Sequence, residues 1–548
     1  MTEPTVSGVS ARMRERIESL DAEGVLFWDG ALPPPEAERV AQAFALPGDL
    51  WHCGLKLGMR GLPGAIDFVA PTWMLNRDPD PSLEATSWRL TLRACLMRSE
   101  VLRRMGRIDP AFLTLEGASL ELGHRYIRRG VLMRHVPWLL PESWDEAPAS
   151  LPFEDEMRFV YDRFGGFWSR WAAFRAIITG YAGPARAVRA LREGAAAARP
   201  PDPAPLHAAD GNSRGGDASA KITVLIPTLD RYAYLRPLLA QLADQTVPPL
   251  EVIVVDQTPL VRRDAALAEA FPGLPLRLIH REERGQCSSR NAGLELARGD
   301  AILFLDDDDE IPPDLIERHL ASLRRFRADV SCGVADETGA GPLPEAFSLV
   351  RASDVFPTNN TLVHRAVLRG SGLFDLAYER GARADRDLGM RVYLAGNLMV
   401  LNPAVSVIHH HAPQGGLRAH GARVITYASS RARLTDRHLP SATEIYLARR
   451  YFTARQVREN LFRRGVSTLG IWGGRSRKLA KLLLGLVLLP DTLFRIQRRS
   501  REAAGMAKRY PQIPPFDGAD RPSSEEASNR QSFDRPGSPG LGREGARS

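Results

Sequence analysis

Four consecutive aspartates, Asp306 to Asp309, directly follow the apolar run AILFL at 301–305. Carboxylates this close repel one another unless a cation or a proton neutralises them. Oxygen ligands of this kind favour Mg²⁺ or Mn²⁺, which typically shares its coordination between one or two carboxylates and substrate phosphates. On an extended segment, Asp306 and Asp308 are predicted to face one side and Asp307 the other. The alternative is a solvated acidic loop before the next helix.

Polar residues also stand where other apolar runs end. The run ITVLIP leads into TLDR at 228–231, and EVIVV leads into Asp256. Three histidines, His409 to His411, follow the strand-like segment LNPAVSVI. Alternate residues of a strand point the same way, so His409 and His411 are better candidates for a shared metal than His410. The alternative is a histidine run at a strand end with no metal role.

Strand and helix signals alternate across the segment that carries these residues. The runs KITVLIP, EVIVVDQ, PLRLIHR and DAILFLDDDD predict strands, and YLRPLLAQLADQ, DAALAEAF and SSRNAGLELARG predict helices between them. This alternation predicts an α/β fold with a doubly wound, mostly parallel sheet. Ligands of such sheets bind beyond the carboxyl ends of the strands, which is where the aspartates lie.

The stretch from Lys221 to His411 resembles a family 2 glycosyltransferase of the GT-A fold, which is Rossmann-like. The resemblance rests on IPTLDR (226–231), VVDQTP (254–259), GQCSSRNAGLELARGD (285–300), FLDDDDEIPPDLIE (304–317) and ADRDLGMRVYLAG (384–396). It implies transfer of a sugar from a nucleotide-diphosphate donor, a UDP-sugar by default, to a glycan or lipid-linked acceptor. The implied cofactor is Mn²⁺ or Mg²⁺, and the expected setting is cell-surface polysaccharide synthesis.

The resemblance also implies residue roles. Asp306 and Asp308 would be the DxD pair that holds the metal, with His409 or His411 as a further ligand. Asp385 would be the general base, in a motif whose usual preceding Glu is replaced here by Ala384. The residues expected to bind the donor are Pro227, Thr228, Asp230, Arg231, Asp256, Arg290, Asn291, Asp306 and Asp307.

The chemistry of the reaction agrees with one general base. A nucleoside diphosphate leaves readily once a cation neutralises its charge, so one carboxylate suffices to take the proton of the acceptor hydroxyl. Direct attack by that hydroxyl predicts inversion at the anomeric carbon. One alternative is a catalytically silent nucleotide-sugar or glycan-binding protein that acts as an assembly scaffold. Another is a nucleotidyltransferase, which would use a Gly-rich basic loop where this chain has PTLDRYAYL.

Four N-terminal segments match C-terminal segments in the same order, which predicts an internal repeat. Asp29 aligns with Asp306, but Gly30 and Ala31 replace the rest of the acidic run, and Ser119 aligns with Asp385. We therefore expect residues 1–145 to form a degenerate GT-A-like half domain that serves packing, acceptor binding or dimer contacts. The matching pairs are 23–44 with 299–323, 49–55 with 329–334, 95–109 with 362–375, and 118–130 with 384–396.

Composition divides the rest of the chain. We expect a helical connector at 146–198, a flexible linker at 199–220, the catalytic domain at 221–412, a basic helical extension at 413–512 and a disordered tail at 513–548. Residues 441–510 hold 16 Lys and Arg against 4 Asp and Glu, although the whole chain carries a net charge of only +8. We expect this segment to contact an anionic membrane peripherally rather than to bind nucleic acid. The alternative is a helix packed on its own domain.

Cysteine usage and the N-terminus indicate the compartment. The four cysteines form no CxxC or Cys/His cluster, which argues against a disulfide framework and a structural zinc site. Cys287 has no evident partner for nucleophilic catalysis and is assigned no role. The first 20 residues lack the apolar core of a signal peptide. We expect a cytoplasmic protein, held at the inner face of the membrane by its basic segment.

Overall fold

The computed structural model describes residues 5–19, 21–62, 64–196, 199–209, 220–339, 341–413, 415 and 433–516. A five-stranded sheet organises the N-terminal half and a nine-stranded sheet the C-terminal half. The strands are β1 (Gly24–Trp28), β2 (Leu50–His52), β3 (Ala85–Thr86), β4 (Ala94–Arg98), β5 (Met133–His135), β6 (Ile222–Thr228), β7 (Glu251–Asp256), β8 (Leu276–His280), β9 (Ala301–Phe304), β10 (Asp309–Glu310), β11 (Val330–Glu337), β12 (Arg351–Ala352), β13 (Thr361–His364) and β14 (Met399–His409).

The helices pack around these sheets and form the C-terminal part of the described chain. They are α1 (Val6–Ser19), α2 (Ala37–Phe44), α3 (Ile66–Val69), α4 (Ser99–Met105), α5 (Leu115–Arg128), α6 (Phe153–Ile178), α7 (Pro184–Ala196), α8 (Tyr232–Ala243), α9 (Gln286–Leu296), α10 (Leu315–Phe326), α11 (Arg365–Ser371), α12 (Ala384–Leu394), α13 (Ala442–Tyr451), α14 (Ala454–Ser467), α15 (Arg475–Val487) and α16 (Leu489–Arg509). Each helix that the structure describes is too short or too polar to span a lipid bilayer.

The larger sheet confirms the predicted fold class. Its order is β10-β14-β11-β13-β9-β6-β7-β8, with β12 also paired to β14. The strands β6, β7, β8, β9, β11 and β14 run in one direction, and β10, β12 and β13 run in the other. β6, β7 and β9 are runs of Val, Ile and Leu with nearly every residue buried, as is typical of strands covered on both faces.

One predicted helix is replaced by turns. The segment DAALAEAF at 264–271 folds as turns rather than as a helix. The carboxylate of Asp264 accepts a hydrogen bond from the amide of Ala266, 3.2 Å away, which closes a local turn. Pro272 and Gly273 follow directly, and both residues disfavour continuation of a helix at this point.

The smaller sheet has the same strand order and directions as part of the larger one. Its order is β1-β4-β2-β5-β3, and the larger sheet contains β9-β13-β11-β14, with β12 on β14. In both, the first strand pairs antiparallel with the second, and the third pairs parallel with the fourth. Asp49 and Asp329 directly precede the third strand of each set, and each accepts a hydrogen bond from the amide that precedes the fourth strand, at 2.8 and 2.7 Å.

The two halves pack on each other through equivalent elements used reciprocally. Helix α5 packs against β12, and helix α12 packs against β3. A Cβ atom on Gly130, just after α5, would lie 2.4 Å from the carbonyl oxygen of Val350. A Cβ atom on Gly396, just after α12, would lie 2.3 Å from the carbonyl oxygen of Glu84. Val350 precedes β12 and Glu84 precedes β3. In each case the glycine after a helix of one half therefore meets the residue before the equivalent edge strand of the other half.

Two segments expected to be flexible or disordered pack against the fold where they are described. In the predicted linker, Leu206 is 6% exposed and His207 lies 2.9 Å from Asp49. In the predicted tail, the carbonyl of Pro514 accepts a hydrogen bond from Leu373, and Phe516 is 4% exposed. Composition suggested little to bury, but single buried apolar side chains and hydrogen bonds anchor both segments. Residues 210–219 and 517–548 lie outside the described residues.

Candidate functional site

A cavity of about 220 Å³ opens at the carboxyl ends of β6 and β9 and at the end of β14. This is the edge of the sheet at which ligands of doubly wound folds bind. Most of the residues that chemistry singled out in the sequence meet here. The lining consists of Pro227, Thr228, Leu229, Arg231, Gln257, Gly285, Gln286, Arg290, Asp306, Asp307, Asp308, His409 and His411.

Two arginines pair with the first three aspartates. Arg231 Nη1 donates to Asp307 at 2.8 Å and to Asp308 at 3.0 Å. Arg290 Nη2 donates to Asp306 at 2.7 Å. Burial raises the pKa of Asp307 to about 7, although Arg231 opposes the shift. The positive charge of the arginines therefore keeps a dense acidic cluster inside a largely buried site.

The alternation predicted for the aspartates is wrong. Asp307 and Asp308 meet the same guanidinium instead of facing opposite sides, and Asp307 also accepts a hydrogen bond from Thr228 at 2.8 Å. The physical reason is that β9 ends at Phe304, and residues 307–308 form a turn. The two-residue period holds only on extended backbone.

The histidines at the end of β14 divide as their spacing suggests. His409 and His411 both line the cavity, with ring centroids 4.5 Å apart, while His410 pairs with Glu310 at 2.9 Å. His409 Nδ1 lies 2.8 Å from Asp309. Burial acts to lower the pKa of His409, but Asp309 and the neighbouring aspartates raise it to about 9. In this arrangement His409 is an imidazolium at neutral pH, and it must lose a proton before it can bind a metal.

The side chains of the cavity that could ligate a metal fit one kind of cation site. Within the described ranges, no three His, Cys, Asp or Glu side chains lie close enough to hold a metal by themselves. The Asp306 side chain is 30% exposed, whereas that of Asp308 is 2% exposed and also accepts from the Ala412 amide at 2.7 Å. This arrangement suits Mg²⁺ or Mn²⁺ that takes one or two carboxylates and completes its shell with phosphates and water. It does not suit a cation caged by protein alone.

Two predicted donor-binding residues lie behind the cavity wall. Asp256 is 1% exposed and accepts from Tyr232 at 2.6 Å and from the Thr258 amide at 2.9 Å. Asn291 exchanges two hydrogen bonds with the backbone of Phe374. The structure thus gives both residues the role of holding the wall.

Asp230, a third predicted donor-binding residue, also lies outside the cavity lining. Its backbone has φ of +58°, and its carboxylate pairs with Arg262 at 2.8 Å.

The predicted base, Asp385, lies in the first turn of α12 and outside the cavity lining. A chain of contacts connects that helix start with the acidic cluster. Asp306 pairs with Arg290, whose Nη1 donates to the Gln286 carbonyl at 3.2 Å, and the Gln286 side chain donates to the carbonyl of Gly381.

The other aspartate of the motif has a structural position. Asp387 is fully buried and accepts from Tyr451 at 2.7 Å and from Arg391 at 3.0 Å. Asp385 is partly exposed, so it is the solvent-accessible carboxylate of α12.

Some residues of the site escaped the sequence patterns. Gln257 lines the cavity and accepts from the Gly285 amide at 2.6 Å, which fixes the loop before α9. Glu379 caps α9 by accepting from the amides of Cys287 and Ser288, both at 2.9 Å. The position of Gln257, directly after β7, was a usable signal. No sequence signal indicated Glu379, which lies 91 residues along the chain from Ser288 of the helix that it caps.

Known proteins resemble the region that carries this cavity. The model of glycosyl transferase family 2 matches residues 223–362. The putative glycosyltransferase EpsH of Bacillus subtilis is 33% identical over 117 residues, which are 21% of this chain and 34% of that protein. The poly(ribitol-phosphate) beta-N-acetylglucosaminyltransferase TarS of Staphylococcus aureus is 25% identical over 190 residues, 32% of this chain and 33% of that protein.

These alignments span about a third of the length of the two curated relatives. Among solved structures, the mannosyltransferase PcManGT from Pyrobaculum calidifontis, in complex with GDP-Man and Mn²⁺, is 18% identical with a TM-score of 0.36. That alignment covers 63% of this chain and 98% of PcManGT. The family match agrees with the sequence blocks between 226 and 317. Residues 223–362 therefore belong to glycosyl transferase family 2.

Proposed function

We propose that this chain transfers a sugar from a nucleotide-diphosphate donor, by default a UDP-sugar, to a glycan or lipid-linked acceptor with inversion. The observation that supports this most directly is the cavity in the family 2 region. There Asp306, Asp307 and Asp308 are held by Arg231 and Arg290 at the carboxyl ends of the strands. Such an acidic cluster, balanced by arginines and open to solvent at Asp306, suits a cation and a diphosphate together.

Each group in this proposal has one task. Asp306 and Asp308 would hold Mn²⁺ or Mg²⁺, which would supply positive charge to the leaving diphosphate. Arg231 and Arg290 keep these carboxylates in place and add positive charge beside the diphosphate. Asp385 accepts the proton of the acceptor hydroxyl, whose oxygen attacks the anomeric carbon and displaces the nucleoside diphosphate. Attack from the face opposite the leaving group inverts the configuration.

We assign the N-terminal half a supporting role as a degenerate copy of the sheet unit beside it. The acidic run is lost in this copy, since Gly30 and Ala31 follow Asp29. The carboxylate of Asp29 pairs with Arg93 at 2.8 Å. Residues of the copy instead contact the helix that carries Asp385. The carbonyl of Thr72 accepts from Arg386, and the carbonyl of Arg77 accepts from Tyr393 at 2.9 Å. The copy thus orients α12.

The cellular setting is part of the same proposal. An acceptor of the glycan or lipid-linked kind belongs to cell-surface polysaccharide assembly, which starts from nucleotide sugars on the cytoplasmic side of the membrane. The buried free thiols of the four cysteines suit that reducing compartment.

The test is a screen of nucleotide sugars with Mn²⁺ or Mg²⁺, first for thermal stabilisation of the protein and then for release of nucleoside diphosphate. Asp306→Asn and Asp308→Asn are expected to lower release by about two orders of magnitude or more, because each removes a carboxylate that would hold the cation whose positive charge stabilises the leaving diphosphate. Asp29→Asn, at the matching position of the N-terminal copy, is the control and should leave release unchanged.

Two outcomes would point elsewhere. Donor binding without release, in wild type and variants alike, would indicate a silent binding protein. Release of pyrophosphate would indicate a nucleotidyltransferase.

A further inference from the structure

Helix α15 buries a lysine and exposes its large apolar side chains. Lys481 is 2% exposed, and its ammonium group donates to the carbonyls of Leu434 at 2.6 Å and Asp436 at 2.7 Å. The large apolar side chains of the same helix face outward. Those at least 40% exposed are Leu479, Leu482, Leu483, Leu486 and Val487. Their spacing of three and four residues places them on one face.

The apolar face continues onto the neighbouring segments. Trp472 precedes α15 and is 54% exposed. Leu489, Leu493 and Phe494 in the first turns of α16 are 41%, 58% and 60% exposed. We call these nine side chains, from Trp472 to Phe494, the apolar patch. A patch of this kind on a soluble protein typically marks an interaction site.

The charges around the patch are almost all positive. Between residues 475 and 499 the chain has seven Lys and Arg and one acidic residue, Asp491. Asp491 is itself paired with Arg437 at 2.6 Å and with Arg495 at 2.8 Å. The basic residues other than the buried Lys481 are Arg475, Arg477, Lys478, Arg495, Arg498 and Arg499.

We propose that the apolar patch inserts into the surface of an anionic phospholipid membrane. A lipid surface matches both properties of this face, since the acyl region accepts the leucines and the acidic head groups attract the surrounding basic residues. With 13 residues, α15 is about 20 Å long at 1.5 Å per residue, shorter than a bilayer core, so it lies along the interface. This inference does not depend on the proposed sugar transfer.

The test is sedimentation of the full chain with vesicles of phosphatidylcholine alone or mixed with phosphatidylglycerol. The wild type is expected to bind the mixed vesicles and to bind phosphatidylcholine weakly. The double variant Leu483→Ser/Phe494→Ser should partition roughly a hundredfold less, since burial of each side chain contributes a factor of ten or more. Leu113→Ser/Leu260→Ser is the matched control, because these leucines are 66% and 75% exposed but lie outside the patch.

Charge and orientation are tested separately. Lys478→Gln/Arg498→Gln should reduce binding to mixed vesicles by roughly thirtyfold, at about 1 kcal/mol per basic residue. Arg12→Gln/Arg16→Gln, which removes the same charge from α1, should not. Brominated lipids should quench tryptophan fluorescence in the wild type, and Trp472→Phe should lose that quenching.

Two results would overturn the proposal. One is that Leu483→Ser/Phe494→Ser binds mixed vesicles as strongly as the wild type does. The other is a wild-type dimer in vesicle-free buffer that the same variant converts to monomer, which would make the patch a contact between two copies of the chain.

Discussion

The reciprocal contacts between the two halves predict a matched pair of glycine effects. Gly396→Ala would place a Cβ atom 2.3 Å from the carbonyl oxygen of Glu84, and Gly130→Ala would place one 2.4 Å from that of Val350. Both positions also have left-handed backbone, with φ of +88° and +93°. Each substitution therefore combines a steric clash against backbone with conformational strain.

The two contributions can be separated with a control. Left-handed backbone costs a residue with a Cβ atom roughly 1–2 kcal/mol. Overpacking against an atom that cannot move adds about 1–3 kcal/mol. Gly180 has φ of +68°, and a Cβ atom there would meet no other atom within 4 Å, so Gly180→Ala has only the strain. Replacing glycine by alanine also restricts the unfolded chain, which raises the free energy of unfolding. This gain is common to all three variants and cancels in the comparison.

The assay is urea unfolding followed by circular dichroism, with the free energy of unfolding compared among the variants. Gly396→Ala and Gly130→Ala should each be less stable than Gly180→Ala by about 1–3 kcal/mol. Their double variant should lose less than the sum, because the two contacts belong to one interface. Equal stability of Gly396→Ala and Gly180→Ala would refute the packing of the halves described above. Sugar transfer by Gly396→Ala should also fall, since α12 carries Asp385.

Other predictions concern the base and two buried carboxylates. Asp385→Asn should lower kcat by about 10²–10⁴-fold with an unchanged donor Kd by calorimetry, and a lost donor affinity would contradict its role as base. Burial raises the pKa of Glu156 from 4.5 to about 7, so the folded protein loses stability as pH rises through that range. Glu156→Gln should lack this loss and gain about 2–3 kcal/mol on wild type between pH 5 and pH 8 in thermal unfolding; a constant difference would refute the shift. Glu459 pairs with Arg175 at 2.7 and 2.8 Å, with both side chains 8% exposed. Glu459→Gln should cost about 3–5 kcal/mol in urea unfolding, and a cost below about 1 kcal/mol would show that the pair is hydrated.

Sequence reasoning succeeded where a local pattern determines the element that forms. The strands β6, β7 and β9 are continuous apolar runs, and such runs rarely form anything else when helical segments separate them. The position of Asp306 to Asp308 at the cavity could be predicted for the same reason, because these residues directly follow a buried strand and so lie at its carboxyl end. Equal strand order in the two sheets also agrees with the segment matches found along the chain.

Only the tertiary structure decided which side chains meet. Arg231 bonds to Asp307 and Asp308 across more than 70 residues of chain, and Glu379 caps a helix that begins far upstream. Such contacts depend on packing distances that no local period encodes. The orientation of α15 is of the same kind: its sequence shows an amphipathic helix, but only the fold shows that Lys481 turns inward and the leucines outward. Amphipathic spacing defines two faces of a helix, and the rest of the molecule determines which face it covers.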